Sequence, residues 1–112
     1  GMVIVPGKDG DIGVLPGHSK ILSSLRSGRV MIYGEDKNLI KSFFVAGGFV
    51  EINPDKCIVL AEAADEMHLL DKSAIEREIQ EIEDQDSDES KLRLEIAKSK
   101  IESLNSTHYN KI

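Results

Sequence analysis

The chain has 112 residues, of which 40% are hydrophobic, and this suits one domain with a small appendage. A net charge of −6 and an aromatic content of 4%, without Trp, argue against a nucleic-acid-binding surface. No apolar run is long enough for a membrane helix, and the single cysteine, Cys57, excludes an internal disulfide. A lone thiol is typical of a reducing compartment, so the default expectation is a cytosolic location.

Strand and turn signals continue from Val3 to about Ala64. Pro-Gly pairs at 6–7 and 16–17 favour tight turns, because Pro presets one backbone angle and Gly accepts the positive φ that follows it. Residues 29–33 alternate with period two, as in a half-buried strand. Short strands between Gly-rich turns predict a sandwich or barrel, and the predicted strands are 3–5, 12–15, 21–25, 29–33, 39–45, 49–52 and 57–61.

The pattern changes to helical near Glu62. Asp71 is the predicted N-cap of a first helix, and Asp86 with Glu89 has the spacing of a capping box for a second one. Each helix has one apolar stripe: Ile75, Ile79 and Ile82 in the first, and Leu94, Ala97, Ile101 and Leu104 in the second. The predicted fold is therefore mainly β plus α: a β-sandwich of two packed sheets in residues 1–66, then an antiparallel two-helix hairpin in residues 67–112.

Charge is unevenly placed along the chain. Residues 1–70 carry −2, residues 71–90 carry −7 and residues 91–112 carry +3. The second helix is basic through Lys91, Arg93, Lys98 and Lys100. One hypothesis is a switch, in which these residues leave the acidic first helix for an acidic partner; the alternative is a solvated hairpin with no such role.

No arrangement of residues points to catalysis or to a cofactor. His18, His68 and His108 are far apart and lack metal-ligand spacing. Cys57 lies in an apolar strand and is interpreted as a small hydrophobic residue. The sequence therefore predicts a protein that is not an enzyme and that needs no cofactor or metal.

Two segments resemble a known family. Residues 11–19 read DIGVLPGHS and residues 44–51 read FVAGGFVE, and both are similar to signatures of the epsilon subunit of bacterial F-type ATP synthases. The β-then-helical layout agrees, so the resemblance covers nearly the whole chain.

The resemblance implies a non-catalytic central-stalk (rotor) subunit that couples gamma to the c-ring of the proton-translocating ATP synthase. Expected partners are gamma, the c-ring and the catalytic alpha/beta head, at the cytoplasmic face of the inner membrane. By resemblance, Asp9, Gly10 and Asp11 are expected at the c-ring and His18 near gamma. The basic residues of the second helix would belong to the part that inhibits ATP hydrolysis in bacterial members. The alternative function is a free-standing β-sandwich adaptor that binds another protein through its hairpin.

Two departures from the family accompany the resemblance. Family members have about twenty more residues before Val3, enough for two strands, so we expect an unpaired sheet edge that favours self-association. Some members bind ATP through a Leu/Ile-Asp-x-x-Arg-Ala motif, of which Leu70 and Asp71 remain while Ala74 and Ile75 replace the last two residues. Without that Arg a phosphate partner is missing, and we expect weak or no ATP binding.

Overall fold

A computed structural model describes residues 1–15, 17, 20–54 and 56–106. Eight strands come first and two helices follow, with a short 3₁₀ turn at Met67–Leu69 between them. The strands are β1 (Met2–Gly7), β2 (Gly10–Val14), β3 (Ile21–Leu25), β4 (Gly28–Tyr33), β5 (Leu39–Val45), β6 (Gly48–Ile52), β7 (Cys57–Leu60) and β8 (Ala64–Glu66). The helices are α1 (Lys72–Ile82) and α2 (Asp88–Asn105). The predicted class, β-strands followed by two helices, is confirmed.

The two predicted layers are parts of one antiparallel sheet, in the order β7-β6-β3-β1-β4-β5-β8. Strand β1 pairs with β2 over Val3–Gly7, so β3 and β4 must share its other edge. They divide it near Pro6: β4 pairs with residues 2–4, and β3 pairs with Gly7. Pro6 has no N–H to donate, and the ladder changes partner around it. Two layers, β7-β6-β3 and β4-β5-β8, therefore diverge from one edge and fold over each other.

The core lies between these two layers. Its buried side chains come from six of the strands: Val5, Val14, Leu25, Val30, Val45, Val50 and Ile52. Because strand side chains alternate, the neighbours of these residues point outward from each layer. The two layers differ in the surroundings of their outward side chains, because the helices cover only one layer.

The helical hairpin packs on the outer face of the β4-β5-β8 layer. Phe44, Ala46 and Met67 form a second apolar cluster there, with Leu70, Ile96 and Leu104 packed against it. Strand β4 is consequently buried on both faces, since Arg29, Met31 and Tyr33 are as buried as Val30. The prediction that residues 29–33 form a strand is correct, but the prediction that this strand is buried on one face only is wrong.

Both helices begin at side-chain caps. The predicted cap at Asp71 is confirmed, because its carboxylate accepts the N–H of Ala74 at 3.3 Å. The predicted capping box at Asp86 is wrong by one residue. Ser87 is the N-cap of α2, its hydroxyl accepts the N–H of Ser90, and the Ser90 hydroxyl accepts the N–H of Ser87. Both Asp and Ser cap helices well, and the return bond from Ser90 selects Ser87.

The last two strands have features that the sequence predictions lack. Strand β8 was not predicted; it pairs Ala64–Glu66 with Phe43, Phe44 and Val45. Strand β7, predicted as an apolar strand at residues 57–61, is an edge strand, half-buried except for Leu60, which is 64% exposed.

Candidate partner-binding surfaces

The outer face of the β7-β6-β3 layer is not covered by the helices that the structure describes; we call it the open face. Its exposed large hydrophobic side chains are Leu22, Phe49 and Leu60, which are 75%, 54% and 64% exposed. Glu51, which lies opposite Leu22 and Ile58, shares this face. Leu60 lies directly opposite Phe49 in the β6–β7 pairing. Exposed apolar groups that gather in one patch, rather than scatter singly, mark interaction surfaces. The sequence carried a signal for this face, since the alternation that buries Val50 and Ile52 must turn Phe49 outward.

The turn between β1 and β2 is a second candidate, and its tip is Lys8–Asp9, between the paired residues Gly7 and Gly10. Asp9, Gly10 and Asp11, expected by resemblance at the c-ring, are all exposed. The Arg26 guanidinium holds the base of this turn, because it donates to the carbonyl oxygen of Gly7 and to the carboxylate of Asp11. The tip of the turn is therefore exposed to solvent, while Arg26 holds the two ends of the turn in place.

The basic side chains of α2 have unequal surroundings. Arg93 pairs with Glu78 of α1 at 3.3 Å, and Lys91 pairs with Asp86 at 3.3 Å. Lys100 reaches the sheet, where its Nζ lies 3.4 Å from the Asp65 carboxylate and 5.8 Å from the centre of the Phe44 ring. Among the residues that the structure describes, Lys98 has no ion-pair partner and is exposed.

A buried arginine joins α2 to the sheet. Arg29 of β4 is 6% exposed, and its guanidinium donates a hydrogen bond to the carbonyl oxygen of Ser103, in the last turn of α2. Carbonyls in the last turn of a helix have no partner within the helix, and a cation there also opposes the helix dipole favourably. Sequence reasoning missed this contact, because it joins residues far apart in the chain.

Three titratable groups in the strands have shifted pKa values. Burial raises the pKa of Tyr33, with the Arg29 charge opposing that rise. Burial also raises the pKa of the Cys57 thiol. The hydrogen bond from Lys41 lowers the pKa of Glu66, whose carboxylate lies 2.9 Å from Lys41 Nζ and ties β8 to β5. None of these three groups lies in a pair of nucleophile and general base.

The remaining sequence predictions concern metal, membrane and ATP sites. Within the described residues, no group of His, Cys, Asp and Glu could hold a metal ion, and neither helix could cross a membrane. At the remnant of the ATP motif, Asp71 caps α1 and Ala74 supplies only its backbone N–H. His18, expected near gamma, lies outside the described residues.

Comparison with known proteins gives consistent matches. Residues 1–67 match the family model for the β-sandwich domain of the ATP synthase delta/epsilon chain. The chain is 41% identical over 102 residues to the ATP synthase epsilon chain of Rhodospirillum centenum, covering 84% of this chain and 70% of that one. It is 41% identical over 83 residues to the epsilon chain of Rhodospirillum rubrum, covering 74% of this chain and 61% of that one. It thus spans less than two thirds of some of these relatives.

The fold has solved counterparts. A chain in the mitochondrial ATP synthase of Euglena gracilis, a structure of OSCP, F1 and c-ring, superposes with a TM-score of 0.72 at 20% identity, over 92% of this chain and 66% of that one. A chain in the central stalk and c-ring structure of Tetrahymena thermophila superposes with a TM-score of 0.51 at 18% identity, over 91% and 77%. At such identities these superpositions support the fold alone. The family-model match and the Rhodospirillum relatives show that the chain belongs to the ATP synthase epsilon-chain family.

Proposed function

We propose that this chain is a non-catalytic rotor subunit of an F-type ATP synthase, coupling gamma to the c-ring at the cytoplasmic face of the inner membrane. The observation that carries the proposal is the match of residues 1–67 to the β-sandwich domain of the ATP synthase delta/epsilon chain. A rotor subunit needs two separate contact surfaces and no reactive site. The open face and the turn at Asp9 are two such surfaces.

The open face is proposed as the gamma contact. It is the outer face of the layer that the hairpin leaves uncovered, and it exposes the large apolar side chains of Leu22, Phe49 and Leu60. Aromatic residues such as Phe49 are enriched at the cores of interfaces. His18, which the resemblance places near gamma, lies between β2 and β3 in the sequence and outside the described residues. Its assignment to gamma is part of this proposal.

The turn at Asp9, Gly10 and Asp11 is proposed as the c-ring contact. It combines the exposed Asp9 carboxylate with a base at which Arg26 pairs with the Asp11 carboxylate. A polar, fixed turn suits a contact with polar loops, where electrostatic complementarity governs recognition. The two proposed surfaces are chemically different, as two different partners require.

The basic face of α2 is proposed to act on the catalytic alpha/beta head as a brake on ATP hydrolysis. Lys91, Arg93 and Lys100 have acidic partners while the hairpin is docked on the sheet, whereas Lys98 is available without breaking an ion pair. Charge reversal at Lys98 therefore tests the brake without disturbing the folded form. Lys98→Glu should weaken inhibition of ATP hydrolysis by the matching alpha-beta-gamma complex; equal inhibition by both proteins would exclude Lys98 from the brake.

The gamma contact is tested with two matched substitutions. Leu22→Asp places a charge on the open face, and Ile40→Asp places the same charge on β5 at a side chain that is 67% exposed. Both positions are exposed in strands, so both variants should fold, which circular dichroism checks. We expect Leu22→Asp to lose binding to the matching alpha-beta-gamma complex in sedimentation assays and Ile40→Asp to keep it. Binding by Leu22→Asp at the affinity of the unaltered chain would contradict the assignment.

The alternative of a free-standing adaptor makes a different prediction. An adaptor that works through its hairpin would bind a partner other than gamma and would be unaffected at Leu22. No observation favours it over the family match, and failure of the unaltered chain to bind alpha-beta-gamma would revive it.

A further inference from the structure

We propose that gamma lies across the open face in one orientation, with apolar side chains over Phe49 and Leu60 and a carboxylate at Lys20 and Lys56, at the opposite end. The inference rests on the proposed gamma contact and deepens it, because it states which end of the face recognises charge. Three features of this layer support it: the register of its strands, the charge along that register, and a hydrogen bond between the segments that supply the lysines.

The outward side chains of β3, β6 and β7 form three rows across the layer. From one end of the open face to the other, the rows are Ser24, Phe49 and Leu60; then Leu22, Glu51 and Ile58; then Lys20, Asn53 and Lys56. The third row adjoins the last inward pairs, Ile21 with Ile52 and Ile52 with Cys57, and continues the same alternation by one residue. Its pairing is visible in the N–H of Asn53, which donates to the carbonyl oxygen of Lys56 at 2.9 Å.

The two ends of the open face differ in chemistry. The first row, which we call the apolar end, exposes Phe49 and Leu60. The third row, which we call the lysine end, exposes Lys20 and Lys56. Neighbouring strands lie about 4.8 Å apart, so the Cα atoms of these lysines, two strands apart, are separated by about 10 Å. The long, flexible lysine side chains can converge on one carboxylate placed between them.

The lysine end carries positive charge that the chain itself does not neutralise. The only carboxylate in the three rows is that of Glu51, which lies diagonally from each lysine, at about 7–8 Å. Among the described residues, neither lysine forms an ion pair, and neither does Glu51. One carboxylate cannot neutralise two lysines, so this end stays positive in a chain whose net charge is −6. An acidic group on the partner is its electrostatic complement.

The two segments that supply the lysines are connected to each other. The N–H of Gly17, in the loop before Lys20, donates to the carbonyl oxygen of Pro54, in the turn before Lys56, at 3.3 Å. Within that turn, the N–H of Lys56 donates to the side-chain oxygen of Asn53 at 2.9 Å. Connected segments need less ordering when a partner binds than independent loops do, which lowers the entropic cost of using both lysines together.

The occupant is gamma because the lysine end is continuous with the apolar rows that are proposed to bind gamma. Leu22 lies two residues from Lys20, and two residues of a strand span about 7 Å. A partner that covers Phe49 and Leu60 and continues past Leu22 therefore meets the lysines. The lysines fix its direction, because the reversed orientation would set a carboxylate of gamma against the apolar end.

Charge reversal at the lysine end tests this orientation. We expect Lys20→Glu/Lys56→Glu to bind the matching alpha-beta-gamma complex about tenfold more weakly at low ionic strength, because carboxylates would then meet the acidic group of gamma. The difference should shrink as salt is added, since exposed charges are screened. Lys37→Glu is the matched control: it makes the same charge change in the exposed turn between β4 and β5, on the other layer, and should bind like the unaltered chain.

Comparison with Leu22→Asp separates this inference from the proposed gamma contact itself. If Leu22→Asp loses binding while the lysine double variant binds like the unaltered chain at low salt, gamma lies on the open face and the proposed orientation is overturned. If both variants bind like the unaltered chain, the open face is not the gamma contact and both proposals fail. Circular dichroism checks that each variant is folded.

Carbodiimide cross-linking reads the same contact directly. The reagent activates a carboxylate, and a lysine amine in contact with that group displaces the reagent as a urea and forms an amide. We expect mass spectrometry of the cross-linked complex to find Lys20 or Lys56 joined to a carboxylate of gamma. Lys20→Arg/Lys56→Arg keeps both charges but lacks the amines, so it should bind with unaltered affinity and lose those links. Absence of any link from Lys20 or Lys56 to gamma in the bound, unaltered chain would overturn the proposal.

Discussion

Gly48 should be the glycine least tolerant of substitution in the β-sheet. It lies at the corner between β5 and β6 with φ +109°, a conformation that side-chain-bearing residues rarely adopt. A Cβ added there would lie 2.0 Å from the carbonyl oxygen of Leu60, whereas real contacts of a Cβ stay beyond 3.0 Å. The obstacle is backbone of β7, so no side-chain rotation relieves it. Gly48→Ala must either displace β7 or abandon the corner.

The expected cost combines two effects. Backbone strain of this kind costs about 1–3 kcal/mol, and displacing the end of β7 weakens its pairing with β6. We expect a loss of about 3 kcal/mol or more in the free energy of unfolding, measured by urea denaturation followed by circular dichroism. In a domain of this size that corresponds to a decrease in melting temperature of about 12 °C or more.

Gly47 is the matched control. It has φ +66°, a left-handed conformation that non-glycine residues do visit, and no heavy atom lies within 4 Å of its added Cβ. Gly47→Ala should therefore cost only about 1 kcal/mol. Equal losses for the two variants, or a loss below about 1 kcal/mol for Gly48→Ala, would refute the steric reasoning.

Four further outcomes are expected. Arg29→Met should speed hydrogen exchange in the last turn of α2 by about tenfold, because a charge-assisted bond to its carbonyl is lost. Ser87→Ala should lower the free energy of unfolding by about 1 kcal/mol, and Asp86→Ala by much less, as urea denaturation can check. Lys41 lowers the pKa of Glu66, so the ionised Glu66 contributes to the free energy of unfolding. That contribution is complete above the ordinary pKa of 4.5 and is lost as the pH falls through the lowered pKa. Glu66→Gln should therefore make the free energy of unfolding depend less on pH in that acid range. If apolar packing rather than ion pairing docks the hairpin, a high salt concentration should change the rate of hydrogen exchange in α2 only slightly.

The sequence was informative wherever a local rule decides the structure. The first seven strands follow from alternation and turn residues. Asp71 was identified as a cap because no competing residue adjoins it. At α2, Asp86 and Ser87 are both good caps, and only the hydroxyl of Ser90 decides between them.

Non-local contacts account for what the sequence did not reveal. Strand β8 is three residues long, and its two acidic residues are typical of a loop. Their partners in ion pairs, Lys41 and Lys100, come from distant parts of the sequence. Burial of Arg29 depends on the end of α2, 74 residues later. The open face could not be assigned either, since alternation shows which side chains point outward but not which layer the hairpin covers.

The energetics of docking bear on the role of the charge blocks in the hairpin. Ion pairs at the surface, such as Arg93 with Glu78, contribute about 0–1 kcal/mol each. Phe44 and Met67 are buried where Ile96 and Leu104 of α2 pack against them, and burying such a side chain contributes about 1.5–3 kcal/mol. Apolar burial therefore outweighs the ion pairs in holding α2 down. A partner that draws α2 away must cover the exposed apolar stripe as well as attract its basic residues, so acidic charge alone is an insufficient trigger.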